Sequence, residues 1–318
     1  MPIISNSYNP PILFKNGHFS TIYSALFRNF PRVEQERERI ILKDGDFLDI
    51  DWSFPAVSNN KVAILLHGLE GNAQRSYMQG MAYNLLQKNW DVASVNFRGC
   101  SGEVNRSYMS YNAGRTDDLE EIIERIVEKD RYTELIIIGF SLGGNLLLKY
   151  LGERDSVPKI VKKGIAISAP IYLKGSLEAL SKPNNWIYQK SFLLHLRKKY
   201  KRKMSRFPDL MNKDDLNKIR SLLDFDNIYT APAHGFKDAF DYYEKNSSLQ
   251  FLKNIRVPVL LLNAKNDSFL SEECYPHIQA ENSKNVFLET PEYGGHVGFY
   301  SRGRLYYNEL RTLEFIAH

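Results

Sequence analysis

Residues 134–150, ELIIIGFSLGGNLLLKY, constrain what this chain can fold into more than any other stretch. The apolar run Leu135, Ile136, Ile137, Ile138 leads into the pentapeptide Gly139-Phe140-Ser141-Leu142-Gly143, and a helix-forming segment carrying Leu146, Leu147 and Leu148 follows directly. A strand buried on both faces reads as a short continuous apolar run. The glycines flanking Ser141 remove Cβ atoms that would collide where the chain reverses sharply from strand into helix. A Gly-x-Ser-x-Gly sequence in strand–turn–helix context is the signature of a nucleophile elbow. Such a turn lifts the Ser141 hydroxyl clear of the sheet, above a helix N-terminus whose partial positive charge favours a developing oxyanion. The plainer alternative is a serine in a Gly-rich turn. The nucleophile reading requires the rest of the chain to supply a base, an acid and a second oxyanion donor.

The surroundings of the elbow alternate between strand and helix patterns. Short apolar runs at residues 62–66, 92–96, 164–168, 257–263 and 286–289 read as strands. Residues 75–88, 117–128 and 305–316 carry helical spacing. Residues 39–42 and 47–53, joined by Lys43-Asp44-Gly45-Asp46, read as an antiparallel hairpin at a sheet edge. This alternation predicts an α/β fold with a mostly parallel sheet of about eight strands and helices on both faces. Ligands of such sheets bind at the loops beyond the carboxyl ends of the strands. The whole chain, residues 1–318, is expected to form a single domain. Within it, residues 170–255 lose the strand pattern and read as a helical cap inserted over that crevice. The N-terminal segment, residues 1–30, reads as a short helix packed on the body.

Charge and cysteine content narrow the partners. Lys and Arg number 42 against 37 Asp and Glu, and the excess of 5 is local. A run that opens at Arg197 and closes at Arg206, RKKYKRKMSR, holds seven basic residues and no acid. Its simplest reading is a solvated helix face, and its sharper one is weak attraction to anionic membrane surfaces. Nucleic acid is not an expected partner, because it would need a broader basic surface. Cys100 and Cys274 are the only cysteines, which argues for a reducing compartment. With no signal-peptide pattern and no bilayer-length apolar run, the expected location is cytoplasmic.

The remaining chemistry follows from chain order. In the elbow-bearing fold, serine is followed by the acid and then by histidine. His296, in Tyr293-Gly294-Gly295-His296-Val297-Gly298-Phe299 past the last strand, is the candidate base; His195 and His234 fall in the cap segment, and His277 precedes the last strand. Asp267, in Asn263-Ala264-Lys265-Asn266-Asp267-Ser268, follows a strand at its carboxyl end and is the candidate acid, against the alternative of an ordinary turn aspartate. The backbone N–H groups of Leu142, after the nucleophile, and Leu69, after His67-Gly68, are the candidate oxyanion donors. His18 reads as a packed or surface histidine, and Cys100 as an inert thiol. The chain lacks Cys-x-x-Cys, His-Glu-x-x-His and phosphate-loop patterns, so neither a metal nor a cofactor is expected.

The segments HFSTIY, LLHGLEG, NFRGCSG, YNAGRTDDL, GFSLGGN, NDSF and GGHVGF, in this order over nearly the whole chain, resemble the α/β-hydrolase superfamily and, more narrowly, its YheT-like branch (the α/β-hydrolase 4 family). Two positions depart from that pattern: Asn112 stands where histidine is common, and Ser268 where proline commonly follows the acid. The resemblance implies a serine esterase or lipase using Ser141, Asp267 and His296, without a cofactor, on short-chain or lipid-like acyl esters. An acyltransferase, a peptidase and a non-catalytic binding protein on the same scaffold are the competing readings.

Overall fold

The computed structural model describes residues 3–57 and 59–317, so residues 1, 2 and 318 at the ends of the expected domain lie outside the described residues. Among the described residues nine strands form one sheet: β1 (Ile3–Ile4), β2 (Glu36–Ile41), β3 (Phe47–Ser53), β4 (Lys61–Leu66), β5 (Asp91–Asn96), β6 (Glu134–Phe140), β7 (Val161–Ile167), β8 (Val259–Leu262) and β9 (Val286–Glu289). Their spatial order is β1-β9-β8-β7-β6-β4-β5-β3-β2. Neighbours from β1 to β5 pair in parallel, while β3 pairs antiparallel with both β5 and β2. β6 sits centrally between β4 and β7. The strand beyond the expected eight is β1, whose two residues are too short to show any alternation in sequence.

Alternate residues of the central strands feed opposite cores, as the period of two demands. On one face Val62, Ile64 and Leu66 of β4 join Leu135 and Ile137 of β6. They pack against helix α3 (Thr116–Glu128) through Leu119, Ile122, Ile123 and Ile126 and against α4 (Leu142–Glu153) through Leu146 and Leu147. On the other face Ala63, Leu65, Ile136 and Ile138 meet Met78, Met81 and Leu85 of α2 (Ser76–Leu86) and Leu313 and Phe315 of the closing helix Tyr307–Ala317. Burying each large aliphatic side chain contributes about 1.5–3 kcal/mol, so the central strand is held firmly from both sides.

Between β7 and β8 the described residues contain helices and no strand, among them α5 (Leu173–Leu180) and the long α6 (Trp186–Met204). This segment has its own apolar cluster, including Leu196 and Tyr200 of α6 with Ile219, Phe225 and Tyr229. The basic run is only in part the solvated face that its composition suggests: Lys198 and Lys201 are exposed, while several of its other charges are tied into the fold. The Arg197 guanidinium donates to the Leu216 and Ile219 carbonyls, Arg202 to the Gly102 carbonyl, and Arg206 to the Val104 and Asn105 carbonyls. Lys203 is buried and donates to Asn105 Oδ1, the Met109 carbonyl and Ser110 Oγ, and burial pulls its ammonium down to about 7. Composition could not show this, because the acceptors lie elsewhere in the chain, about a hundred positions upstream for Arg202, Lys203 and Arg206 and about twenty downstream for Arg197.

Candidate active site

β6 ends at Phe140 and α4 begins at Leu142, leaving Ser141 alone in the turn with φ 51° and ψ −120°. A non-glycine residue held there stores about 1–3 kcal/mol of strain, which the surroundings must hold in place. They do so through close backbone packing. A Cβ on Gly139 would lie 2.3 Å from the Gly143 carbonyl oxygen, and one on Gly143 would lie 2.5 Å from the Leu66 carbonyl oxygen. The Ser141 N–H donates to the Ile167 carbonyl at 2.9 Å, tying the turn to β7.

Three side chains from separate loops meet at this turn. His296 Nε2 lies 2.9 Å from Ser141 Oγ, and His296 Nδ1 lies 2.8 Å from Asp267 Oδ2. Asp267, in the loop after β8, is 3% exposed, and its other oxygen accepts the Phe269 N–H at 3.0 Å. An ionised carboxylate can only accept, so Nδ1 carries the ring proton and Nε2 is left to accept from the serine hydroxyl. The Phe269 ring stacks on the imidazole with centroids 4.2 Å apart, fixing its plane.

The backbone donors frame the same serine. Leu142 is the first residue of α4, where helix geometry leaves the N–H without an intrahelical acceptor. In the loop after β4, the Gly68 N–H donates to the Tyr77 hydroxyl at 3.1 Å and the Glu70 N–H to the Tyr111 hydroxyl at 2.8 Å. The Leu69 N–H between them has no acceptor among the described residues. A Cβ on Gly68 would sit 3.1 Å from the Ser141 Cβ, so glycine lets this loop approach the elbow. Behind it, fully buried His67 accepts the Phe97 N–H on Nε2 and bonds the Gly68 carbonyl through Nδ1, and burial drives its pKa down to about 4. His67 is thus a neutral strut rather than a proton carrier.

Glu70 continues the loop into a buried charge cluster. Its Oε1 accepts from the Tyr111 hydroxyl at 2.7 Å and from Lys199 Nζ of α6 at 2.5 Å. Burial alone would raise the Glu70 carboxyl, but Lys199 and the hydroxyl hold it below its ordinary value. Lys199 also donates to Cys100 Sγ at 3.3 Å, and burial raises that thiol to about 11, which leaves it protonated.

The residues that hold the histidine loop were not visible in the sequence. Helix α1 (Gly17–Leu26) lies against it: His296 N–H donates to Thr21 Oγ1 at 2.8 Å, Ser20 Oγ to the Gly294 carbonyl and Ser24 Oγ to the Gly298 carbonyl. Asn266 accepts the Gly295 N–H, and Ser168 accepts the Val297 N–H, each at 2.9 Å. Only the HFSTIY segment hinted at this. His18, its most conspicuous residue, instead bonds the Tyr188 hydroxyl at 3.2 Å.

Two cavities open on Ser141. One, of about 150 Å³, runs past Leu142 beneath the helices between β7 and β8, lined by Leu177, Leu180, Phe192, Leu196, Phe225 and Tyr229 among others. The second, of about 350 Å³, runs between α1 and α6 past Ile22, Leu26, Ile187 and Tyr188. Both also touch Leu69, Phe269 and His296, so an elongated molecule can cross the serine with one arm in each. Among the described residues no group of three or more His, Cys, Asp or Glu side chains could hold a metal ion.

The alpha/beta hydrolase fold family matches residues 62–302, a span that contains Ser141, Asp267 and His296. The chain belongs to the α/β-hydrolase family. This α/β-hydrolase is 33% identical to "Putative esterase YheT" of Escherichia coli over 90% of its own length and 85% of that protein's. It is 28% identical to Phospholipase ABHD3 of Mus musculus, covering 94% of this chain and 74% of the relative. Among solved structures, the Pyrococcus furiosus esterase Pf2001 superposes with a TM-score of 0.60 at 19% identity, over 91% of this chain and 97% of that one, which is a likeness of fold. No helix among the described residues is long and apolar enough to cross a membrane.

Proposed function

We propose that this α/β-hydrolase, a carboxylic ester hydrolase, works through a covalent acyl-enzyme on Ser141. The observation that carries the reading is the unbroken hydrogen-bond chain from Asp267 through His296 to the Ser141 hydroxyl. His296 takes the serine proton as Oγ attacks the acyl carbon, and Asp267 stabilises the imidazolium that forms. The Leu69 and Leu142 N–H groups hold the oxyanion, worth about 2.7–4 kcal/mol for a single donor in a comparable site. His296 then returns the proton to the departing alcohol and activates the water that releases the acid.

Short-chain or lipid-like acyl esters are the proposed substrates, on the support of the apolar lining of both cavities and the names of the esterase and phospholipase relatives. Residues 170–255 act in this reading as a cap that roofs the first cavity and excludes water. The two free cysteines fit a cytoplasmic location. Weak association with anionic membranes through residues 197–206 would rest mainly on Lys198 and Lys201, both exposed and without an ion-pair partner among the described residues. Replacing both with Gln is expected to reduce binding to phosphatidylserine vesicles; unchanged sedimentation with the vesicles removes this element.

The test of the main reading pairs two measurements. A fluorophosphonate is expected to label wild-type protein at Ser141 and not Ser141→Ala, and ester hydrolysis by that variant is expected to fall by several orders of magnitude. Wild-type-like turnover by Ser141→Ala overturns the mechanism.

A further inference from the structure

The second cavity, which runs between α1 and α6 to Ser141, opens among apolar side chains that face water. Leu26 of α1 and Ile187 of α6 line it and are nevertheless exposed, so they stand at its rim. Phe27 follows Leu26, Trp186 precedes Ile187, and Leu194 lies two turns further along α6; all five are between 49% and 71% exposed. The hydrogen bond between His18 and Tyr188 holds the two helices side by side. Large apolar side chains gathered around one opening mark a surface that meets something other than water.

The charge around this opening has one sign. Residues 1–33 and 179–208, the stretches that contain α1 and α6, hold no Asp or Glu, in a chain that has 37 of them. Glu70 is the only acid lining the cavity among the described residues, and Lys199 pairs with it. On α6, helical spacing puts Ile187, Lys190, Ser191, Leu194, Lys198 and Lys201 on one face, and all six are exposed. None of these three lysines has an ion-pair partner among the described residues. A helix face that mixes apolar side chains with lysines and carries no acid suits the headgroup layer of a membrane.

We propose that the face formed by α1 and α6 around this opening docks on an anionic lipid bilayer, with Leu26, Phe27, Trp186, Ile187 and Leu194 entering the headgroup boundary, so that an ester passes from the membrane into the second cavity. The inference deepens the reading of lipid-like acyl esters as substrates and rests on it. Lys198 and Lys201 alone would hold the protein loosely above the surface; burial of the apolar rim adds an attraction that salt does not screen. It also lets an acyl chain reach Ser141 without exposing its length to water. A second copy of this chain fits the face poorly, because a two-fold contact would set its unpaired lysines against one another.

Trp186 reports on this face, because Trp52 and Trp90, the other tryptophans, are buried. On addition of vesicles of phosphatidylcholine and phosphatidylglycerol, its emission is expected to shift to the blue and to be quenched by lipids brominated on their acyl chains. Absence of both changes overturns the docking. Phe27→Gln/Leu194→Gln, checked for a native circular-dichroism spectrum, is expected to bind the vesicles at least tenfold more weakly in sedimentation. Equal binding by wild type and this variant also overturns it. So does a lipid-free dimer in analytical ultracentrifugation that the same substitutions dissociate, which assigns the face to a second copy.

Ser141→Ala is expected to bind vesicles as wild type does, so docking is measured apart from turnover. In kinetics the double variant is expected to lose at least tenfold on a long-chain ester carried in the vesicles. It is expected to keep the wild-type rate on dissolved p-nitrophenyl acetate, since neither Phe27 nor Leu194 lines either cavity at the serine. Equal rates of wild type and variant on the vesicle-borne ester reject passage from the membrane. Docking by wild type with hydrolysis of dissolved esters alone supports the face and overturns the lipid-ester reading, which keeps the two failures distinct.

Discussion

Thr21 and His296, 275 residues apart in sequence, are joined by a 2.8 Å hydrogen bond in which the histidine's backbone N–H donates to the threonine hydroxyl. That hydroxyl in turn donates to the Gly17 carbonyl at 2.7 Å, so its orientation is set by its own helix. The packing beside it is close: a Cβ on Gly295, which has φ 59°, would lie 2.3 Å from the Gly17 carbonyl oxygen. Helix α1 thus acts as a brace for the loop that carries the imidazole.

Replacing Thr21 with Val keeps the shape and removes the acceptor. The stranded N–H is expected to cost about 1–3 kcal/mol. Because small displacements of a catalytic group are expensive, kcat for ester hydrolysis is expected to fall about tenfold or more with little change in KM. Thr21→Ser, which retains the hydroxyl, is expected to recover most of the loss. Steady-state kinetics on both variants checks this; a KM effect without a kcat effect would place Thr21 outside the positioning of His296.

The Glu70–Lys199 pair links the loop bearing Leu69 to α6. Lys199→Met leaves the Glu70 carboxylate without its counter-charge in a largely buried position, and breaking such a pair typically costs about 3–5 kcal/mol. Removing both charges in Glu70→Gln/Lys199→Met is expected to be markedly less harmful than the sum of the single changes. Urea midpoints of the four proteins give the coupling energy through a double-mutant cycle. In the Lys199→Met protein kcat is expected to drop as well, because Glu70 follows the N–H assigned to the oxyanion. Additive losses would show that the two residues act independently.

How much of this was legible in the sequence depended on the range of the interactions. The elbow is local chemistry: the strand, the glycines and the helix lie within residues 134–150, and short-range sterics write them into the sequence. Asp267 and His296 were legible only through chain order, which strands alternating with helices made readable. Thr21 and Asn266 lay inside the HFSTIY and NDSF segments without a readable role, and Ser168 carried no signal at all, because a polar residue on a helix or loop looks alike whether it meets water or a backbone donor far along the chain. The basic run misled in part, for a related reason. Lys203 and Arg197 are satisfied by carbonyls and side-chain oxygens on other elements, and composition shows charge without showing acceptors. Arg98 illustrates the middle ground: the NFRGCSG and YNAGRTDDL segments stood out as motifs, and in the fold Arg98 donates two 2.7 Å hydrogen bonds to Asp118.

His67 gives a prediction in pH. Its folded pKa of about 4 lies below the 6.5 of the free side chain, since burial penalises the imidazolium and Nε2 is occupied by the Phe97 N–H. Between these two values the unfolded chain binds a proton that the folded chain refuses, so the contribution is intact above about 6.5 and is lost as pH falls toward 4. The loss approaches about 1.4 kcal/mol per pH unit within that window. Gln cannot titrate, so His67→Gln is expected to be less stable than wild type at pH 7, having lost the strut. The gap should narrow by about 2 kcal/mol at pH 5, where only the wild type suffers the proton penalty. Urea denaturation of both proteins at the two pH values measures the difference. A gap that stays constant would mean that the folded protein accepts the proton at His67, and the neutral strut behind the Leu69 loop would have to be abandoned.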